Sequence, residues 1–349
     1  MLDSLYIKNF RNLKEFRIDS VERINLITGK NNTGKSSILE AIAIYASRGN
    51  FSVMEQLSNY RGEKSVSAMF TDRVVDYDDE IFIGNIAENK NDITLRLVRF
   101  HEEIQKNEQG ESVLRRVVHT QKNEIFDDLR VGLEICFGDE KKIAPLGGEV
   151  TLRPVFESFT NGKNFQFIRT AVIDRETNGK LFDNIALTKK EQYVIESLRI
   201  IEPTTERIAF IEDNSRERSA VIKLSNASDV LPLRSMGDGI NRILTIILAL
   251  VNSDNGFLLI DEFENGLHYT VQEKLWKIII ELSKVLNVQV FATTHSEDCI
   301  SGFQRVLNNS NNSRAGKLIR LDNINGNIKP VEYSPGELKI AHEQDIETR

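Results

Sequence analysis

The 349-residue sequence predicts an α/β fold in which a parallel sheet flanked by helices is joined to an antiparallel β lobe. Three observations predict it. Residues 29–36 read Gly-Lys-Asn-Asn-Thr-Gly-Lys-Ser, between an apolar run (Ile24, Leu26, Ile27) and a helical stretch. From Ser235 onward apolar segments alternate helix, strand, helix, strand, the rhythm of a parallel sheet with helices on its faces. Between about residues 66 and 174 the period changes to two, which indicates antiparallel strands with one solvated face.

Taken in order, two short strands at 5–10 and 15–18 precede the glycine-rich loop, joined by a turn at Arg11, Asn12 and Leu13. After the loop, Ile38, Ile42 and Tyr45, with Leu39 and Ala46 beside them, give a helix one apolar face. Alternating stretches follow at 93–100, 131–137, 150–156 and 165–173, with hydrophilic turns near 106–110 and 161–163. Residues 187–201 read as a helix with charges on one side. The stretch 240–251 is apolar nearly all round, 257–260 is a short buried strand, 269–286 a long amphipathic helix and 288–293 a second buried strand. Residues 318–321 and 328–333, linked through Asn325 and Gly326, form a hairpin pattern. No internal repeat is present, so residues 1–349 are expected to form one domain, with 66–174 a β-rich lobe inserted within it.

Composition narrows the class. With 40% hydrophobic and 28% charged residues the chain reads as globular rather than disordered. The longest apolar run, 243–251, is less than half of the ~20 residues that cross a bilayer, so no membrane association is expected. The N-terminus lacks the charged and apolar regions of a signal peptide, and the two cysteines, Cys136 and Cys299, are far apart; a reducing cytoplasm is expected. Net charge is −7, so contact with nucleic acid would need a local basic patch or a partner.

The chemistry concentrates at four places. Gly29 and Gly34 let the backbone N–H groups of Lys30, Asn31, Asn32 and Thr33 turn inward around a triphosphate; Lys35 reaches its outer phosphates, and the Ser36 hydroxyl, followed by Ser37, can ligate Mg²⁺ at a helix N-terminus. Four apolar residues lead into Asp261-Glu262, placing one carboxylate for a metal shell and the next to polarise water, although a solvated strand end has the same appearance. His295 ends the following buried strand, as a sensor of the γ-phosphate or as a structural histidine. Ser235, Gly237, Asp238 and Gly239 open the apolar helix, either as a second set of N–H donors or as a plain helix entry capped by Ser235.

In this order the segments resemble the Walker A, signature, Walker B and switch motifs of ABC-type ATPases. Asn9-Phe10-Arg11-Asn12 looks like the opening of SMC, RecF and OLD-like heads, and Glu264-Asn-Gly-Leu-His268 occupies the D-loop position. Residues 237–242, 258–268 and 291–296 are most similar to the OLD-like AAA ATPases of bacteria and phages, which include ATPase subunits of phage-defence systems such as Gabija and PARIS. The resemblance implies an ABC-class P-loop NTPase head with an antiparallel β lobe and an inserted segment between Walker A and the signature motif. It implies ATP and Mg²⁺ as cofactors, with Ser36 and Asp261 on the metal, Lys35, Glu262 and His295 catalytic, and Arg11 a further nucleotide contact. ATP is expected between two copies, the phosphate loop of one facing 235–239 of the other, in a homodimer or higher homo-oligomer. The implied role is control of a separate effector, a Toprim-like nuclease or toxin, in anti-phage defence; a slow nucleotide-dependent scaffold and a RecF- or SMC-like repair ATPase that binds DNA are the alternatives.

Two features depart from that pattern: His268 stands where many ABC proteins have an aspartate, and no heptad segment is long enough for an SMC arm. The Q-loop glutamine has no clear counterpart, Gln166 being a weak candidate. The acidic run Asp76, Asp78, Asp79 and Glu80 reads as surface rather than a nuclease centre, and the basic groups Lys8-Arg11-Lys14-Arg17, Arg115-Arg116-His119-Lys122 and Arg314-Lys317-Arg320 read as solvated strand faces, with a nucleic-acid surface as the alternative. His101, His119 and His342 show no spacing that suggests a metal site.

Overall fold

A computed structural model describes residues 1–73, 76–77, 79–87, 92–106, 110–119, 129–147, 162, 164–170, 175–212, 218–308, 315–344 and 346–348. The chain begins with the hairpin β1 (Leu5–Phe10) and β2 (Leu13–Ile18), then β3 (Ile24–Gly29), the glycine-rich loop, α1 (Lys35–Ala46) and α2 (Phe51–Tyr60). Strands β4 (Glu80–Gly84), β5 (Ile93–Lys106), β6 (Ser112–His119), β7 (Arg130–Phe137) and β8 (Glu140–Pro145) follow. Next come β9 (Phe165–Ile168), α3 (Arg175–Asp183), α4 (Lys189–Ile201), β10 (Thr205–Glu212), β11 (Arg218–Leu224) and β12 (Leu231–Pro232). The last part holds α5 (Asp238–Val251), β13 (Phe257–Ile260), α6 (Tyr269–Val285), β14 (Gln289–Thr293), α7 (Glu297–Asn308), β15 (Gly316–Ile324), β16 (Asn327–Tyr333) and α8 (Pro335–Glu343).

Two sheets organise these elements. The central one has the order β16-β15-β3-β14-β13-β9, parallel except for β16, which returns through the Asn325-Gly326 turn with both residues at positive φ. The other is antiparallel, β2-β1-β4-β5-β7-β8 with β6 on β5, so the N-terminal hairpin joins the lobe strands. A small sheet, β10-β11-β12, lies apart.

Alternation along β13 shows where the cores sit. Leu258 and Ile260 pack with Trp276, Phe303 and the apolar face of α5, while Phe257 and Leu259 pack with Ile38, Ile42 and the antiparallel sheet. All four residues are buried because both faces of the sheet are covered, the condition under which a parallel strand reads as an unbroken apolar run. Helix α1 is caught between the two sheets, and every residue except Ser36 is buried. The single apolar face expected for it is therefore corrected: alanines at 41, 43 and 46 let the remaining sides pack closely as well.

A second correction concerns residues 165–173. Among the described residues of this stretch Phe165–Ile168 forms a strand, which runs parallel to β13 in the central sheet instead of antiparallel in the lobe. An edge strand half-covered on one side has the same period-two signature in either setting. The stretch 150–156, and residues 171–173, lie outside the described residues. The turn after β1 is tighter than expected, since Leu13 already pairs with Phe10. Neither α2 nor the β10-β11 hairpin was expected.

Candidate nucleotide site

The loop after β3 is shaped by its glycines. Gly29 has φ +139, and a Cβ there would lie 2.7 Å from the Leu321 carbonyl oxygen and 2.8 Å from Thr33 Oγ1. Gly34, at φ +86, is the N-cap of α1, and a Cβ would meet Leu13 and Asn12 at 3.0 and 3.1 Å. Lys35 is buried, and its Nζ donates to the carbonyls of Gly29 (2.6 Å) and Lys30 (2.8 Å), curling the loop over its own ammonium. Burial lowers the Lys35 pKa, opposed by the charges of Asp261, Glu262 and Glu264. A cavity of about 810 Å³ opens above, lined among others by Arg11, 31–37, Asp261, Glu262 and His295.

Strands β13 and β14 end beside this loop. Ser36 Oγ donates to Asp261 Oδ2 at 2.9 Å, and Thr293 Oγ1 donates to Asp261 Oδ1 at 2.6 Å, so the carboxylate is fixed from two sides. The same threonine accepts the Glu262 N–H at 2.9 Å, which helps hold Glu262 at φ 49. A non-glycine residue in that region stores strain, and here it swings the carboxylate out into the cavity wall. His295 Nε2 lies 3.5 Å from Glu262 Oε1. The turn to His295 is braced by Glu264, which accepts from Thr294 Oγ1 and the His295 N–H, both at 2.7 Å. Buried Arg242 on α5 donates to the backbone oxygens of Arg169, Asp261 and Glu262 at 3.0 to 3.2 Å, joining α5 to the turn at Asp261 and Glu262.

The sequence-predicted residues thus fall into two groups. Asn31, Asn32, Thr33, Gly34, Lys35, Ser36, Ser37, Asp261, Glu262 and His295 line one cavity, with Gly29 and Lys30 beneath it as partners of the lysine. Ser235, Gly237, Asp238 and Gly239 do not line it. Ser235 Oγ donates to the Pro232 carbonyl at 2.7 Å, Gly237 (φ +98) has open space around it, and Ser235, Gly237 and Asp238 are exposed. Gly239 sits against the D-loop, a Cβ there meeting the Gly266 oxygen at 3.0 Å.

Arg11 lines the cavity, but its guanidinium is held by Glu40 and Glu63, each at 2.6 Å. His268 caps α6, accepting from Thr270 N. Gln166 stays within β9, opposite Leu258, and does not line the cavity. The sequence pattern gives Thr293 no role and places Glu264 and Arg242 only within the D-loop and signature segments; two threonines closing a buried strand were the available signal for the first.

Asp76 and Asp79 are engaged in turn hydrogen bonds, while Asp78, Lys122 and Arg314 lie outside the described residues. The basic groups pair locally: Lys14 with Asp72, Arg116 with Glu102, Lys317 with Glu332 and Arg320 with Asp322. His101 and His119, far apart in sequence, meet at 2.6 Å between ring nitrogens on the β5-β6 hairpin. Among the described residues no group of three or more His, Cys, Asp or Glu is arranged to hold a metal, and no helix is long and apolar enough to cross a membrane.

This arrangement is an ABC-class P-loop ATPase fold like that of SMC heads. The Smc head bound to the C-winged helix domain of ScpA matches 95% of this chain and 98% of its own, with TM-score 0.54 and 14% identity. An Smc head with an extended coiled coil, bound to the C-terminal domain of ScpA derived from Pyrococcus furiosus, matches 99% of both chains with TM-score 0.53 and 12% identity. At these identities the likeness is one of fold. The chain belongs to the AAA ATPase domain family, which it matches over residues 1–143 and 154–300. It is similar to the ATP/GTP phosphatase of Helicobacter pylori, 26% identical over 371 residues covering 99% of each chain. It is also similar to the DNA replication and repair protein RecF of Glaesserella parasuis, 32% identical over 130 residues that span 37% of this chain and 29% of that protein. The chain is an ATPase.

Proposed function

We propose that this ATPase closes as a dimer around ATP and uses that closure to control a separate effector, a nuclease or toxin, in anti-phage defence. One observation supports the dimer above all: the glycine-rich entry to α5 is exposed and lies outside the cavity that holds the phosphate loop. Its N–H donors have no phosphate to meet within their own chain. A second copy would supply one, and two-fold pairing completes both sites at once. The effector reading is supported by the resemblance to phage-defence ATPase subunits, and by the ScpA domains bound to Smc heads in similar folds.

Within the site, Lys35 and the loop amides hold the β- and γ-phosphates. Ser36 and Asp261 offer hard oxygen donors that fit Mg²⁺, which keeps waters and substrate phosphates as its other ligands. The ion would neutralise charge developing on the phosphates. Glu262 accepts a proton from, or orients, the attacking water, and His295 reports the γ-phosphate to Glu262.

The similarity to RecF favours a second reading, a DNA-dependent repair ATPase. Steady-state turnover with and without double-stranded DNA separates the two. Effector control predicts turnover independent of DNA and no cleavage of DNA by the protein with ATP, Mg²⁺ or Mn²⁺. Strong DNA stimulation would favour repair, and cleavage that survives Lys35→Ala would place an effector in this chain itself.

A further inference from the structure

The ion pairs near the phosphate loop leave aside one arginine that the motifs do not assign. Glu40, on α1 one turn beyond Ser36, is buried and takes Arg11 and Arg61. Glu63 takes Arg11 and Arg73. Arg169 has no such partner: among the described residues no carboxylate forms an ion pair with it. Its guanidinium instead lies over the rings of Tyr60 and Phe167, 4.2 and 5.1 Å from their centroids. Burial lowers its pKa, and the nearest opposing charges include Glu40 and Asp261.

Its place in the fold gives it a direction. Residue 169 follows directly on β9, whose last residue, Ile168, accepts the Asp261 N–H at 2.8 Å. The Arg169 carbonyl accepts from Arg242. Phe165 and Phe167 pack on the α1 side of the sheet, and Arg169, two residues further, continues on that face. Arg61, next to Tyr60, lines the nucleotide cavity. The guanidinium is thus a half-buried cation on the phosphate-loop face, beside the strand end that carries the metal-site carboxylate, stacked rather than neutralised. Stacking on two rings leaves its in-plane N–H donors free to form a fork for phosphate oxygens.

We propose that Arg169 is a catalytic residue that contacts the γ-phosphate of ATP beside Ser36 and Asp261. Like Gln166, three residues earlier, Arg169 does not line the cavity in this structure, so the contact requires its side chain to move past Arg61 toward the phosphate when ATP binds. ADP lacks the group it would bind, so its contribution is selective for the triphosphate and grows as charge develops on the transferred oxygens. This rests on ATP hydrolysis by the chain, which the wild-type protein and Lys35→Ala test separately.

The experiment compares Arg169→Ala, Arg169→Met and Arg169→Lys with wild type in steady-state turnover and in calorimetric binding of ADP and of a non-hydrolysable ATP analogue. Thermal melting reports whether each variant is folded. The expected result for Ala and Met alike is ADP affinity within about twofold of wild type, analogue affinity down about tenfold and kcat down about 10². Lysine, a point charge without the fork, should recover part of both. Methionine keeps the apolar stacking, so wild-type behaviour of Arg169→Met would show packing alone and overturn the proposal. Equal loss of ADP and analogue affinity, or an unchanged kcat in folded Arg169→Ala, would overturn it too.

Discussion

The two glycine-rich helix entries of this protein have the same local grammar and opposite surroundings. At the entry to α1, Gly29 and Gly34 are hemmed in by Leu321, Thr33, Leu13 and Asn12, the lysine is tied to two carbonyls, and the neighbouring serine is tied to Asp261. At the entry to α5, Gly237 meets nothing within 4 Å and Ser235 reaches only back to Pro232. The first is a finished half-site. The second is an exposed surface, which on the proposed reading becomes a site when a second copy brings phosphates to it. Arg242 links the two regions through the backbone of Asp261 and Glu262, so engagement at α5 has a covalent and hydrogen-bonded route to the catalytic turn.

The largest effect that separates the two regions is on chemistry. Glu262→Gln keeps size and loses basicity, so turnover should fall by roughly 10² to 10⁴ while ATP binding, followed by calorimetry, stays near wild type. Loss of binding and turnover together would remove Glu262 from the water. Next in size, Lys35→Ala removes the charge that faces the phosphates in ground and transition state alike, and affinity for ATP should drop by about 10² or more. If a fluorescent nucleotide still binds this variant at wild-type affinity, the cavity is not the triphosphate site.

A stability comparison sharpens the contrast. Gly29→Ala forces a Cβ against a backbone oxygen at 2.7 Å in a left-handed region, and should cost about 2 to 4 kcal/mol in denaturant unfolding. Gly237→Ala has only the positive φ to contend with, for about 1 kcal/mol. Equal costs at the two positions would mean that the α5 entry is not the open surface described above. Smaller still, His268→Ala removes a long, exposed helix cap and should lower stability by about 0.5 kcal/mol.

What the sequence made legible was local. The phosphate loop, the acidic pair and the buried strands 257–260 and 288–293 are each set by a few adjacent residues, and their positions followed from spacing. What it hid was decided by neighbours. Phe165–Ile168 alternates like a lobe strand, yet its partner is β13. The all-round burial of α1 came from sheets on two sides of it. Thr293 and Glu264 matter through hydrogen bonds to residues about 30 positions away, and Arg169 stands out because the nearby carboxylates are already taken, a fact of packing that no spacing encodes.

The central claim is that the α5 entry acts on ATP held by a second copy. Light scattering during gel filtration of Glu262→Gln, with and without Gly237→Asp in the same chain, tests it most directly in the presence of ATP and Mg²⁺. The account predicts that Glu262→Gln is a dimer with ATP and a monomer without it, whereas the double variant binds ATP and stays monomeric. An ATP-dependent dimer of the double variant, or wild-type turnover from a strictly monomeric Gly237→Asp protein, would contradict it.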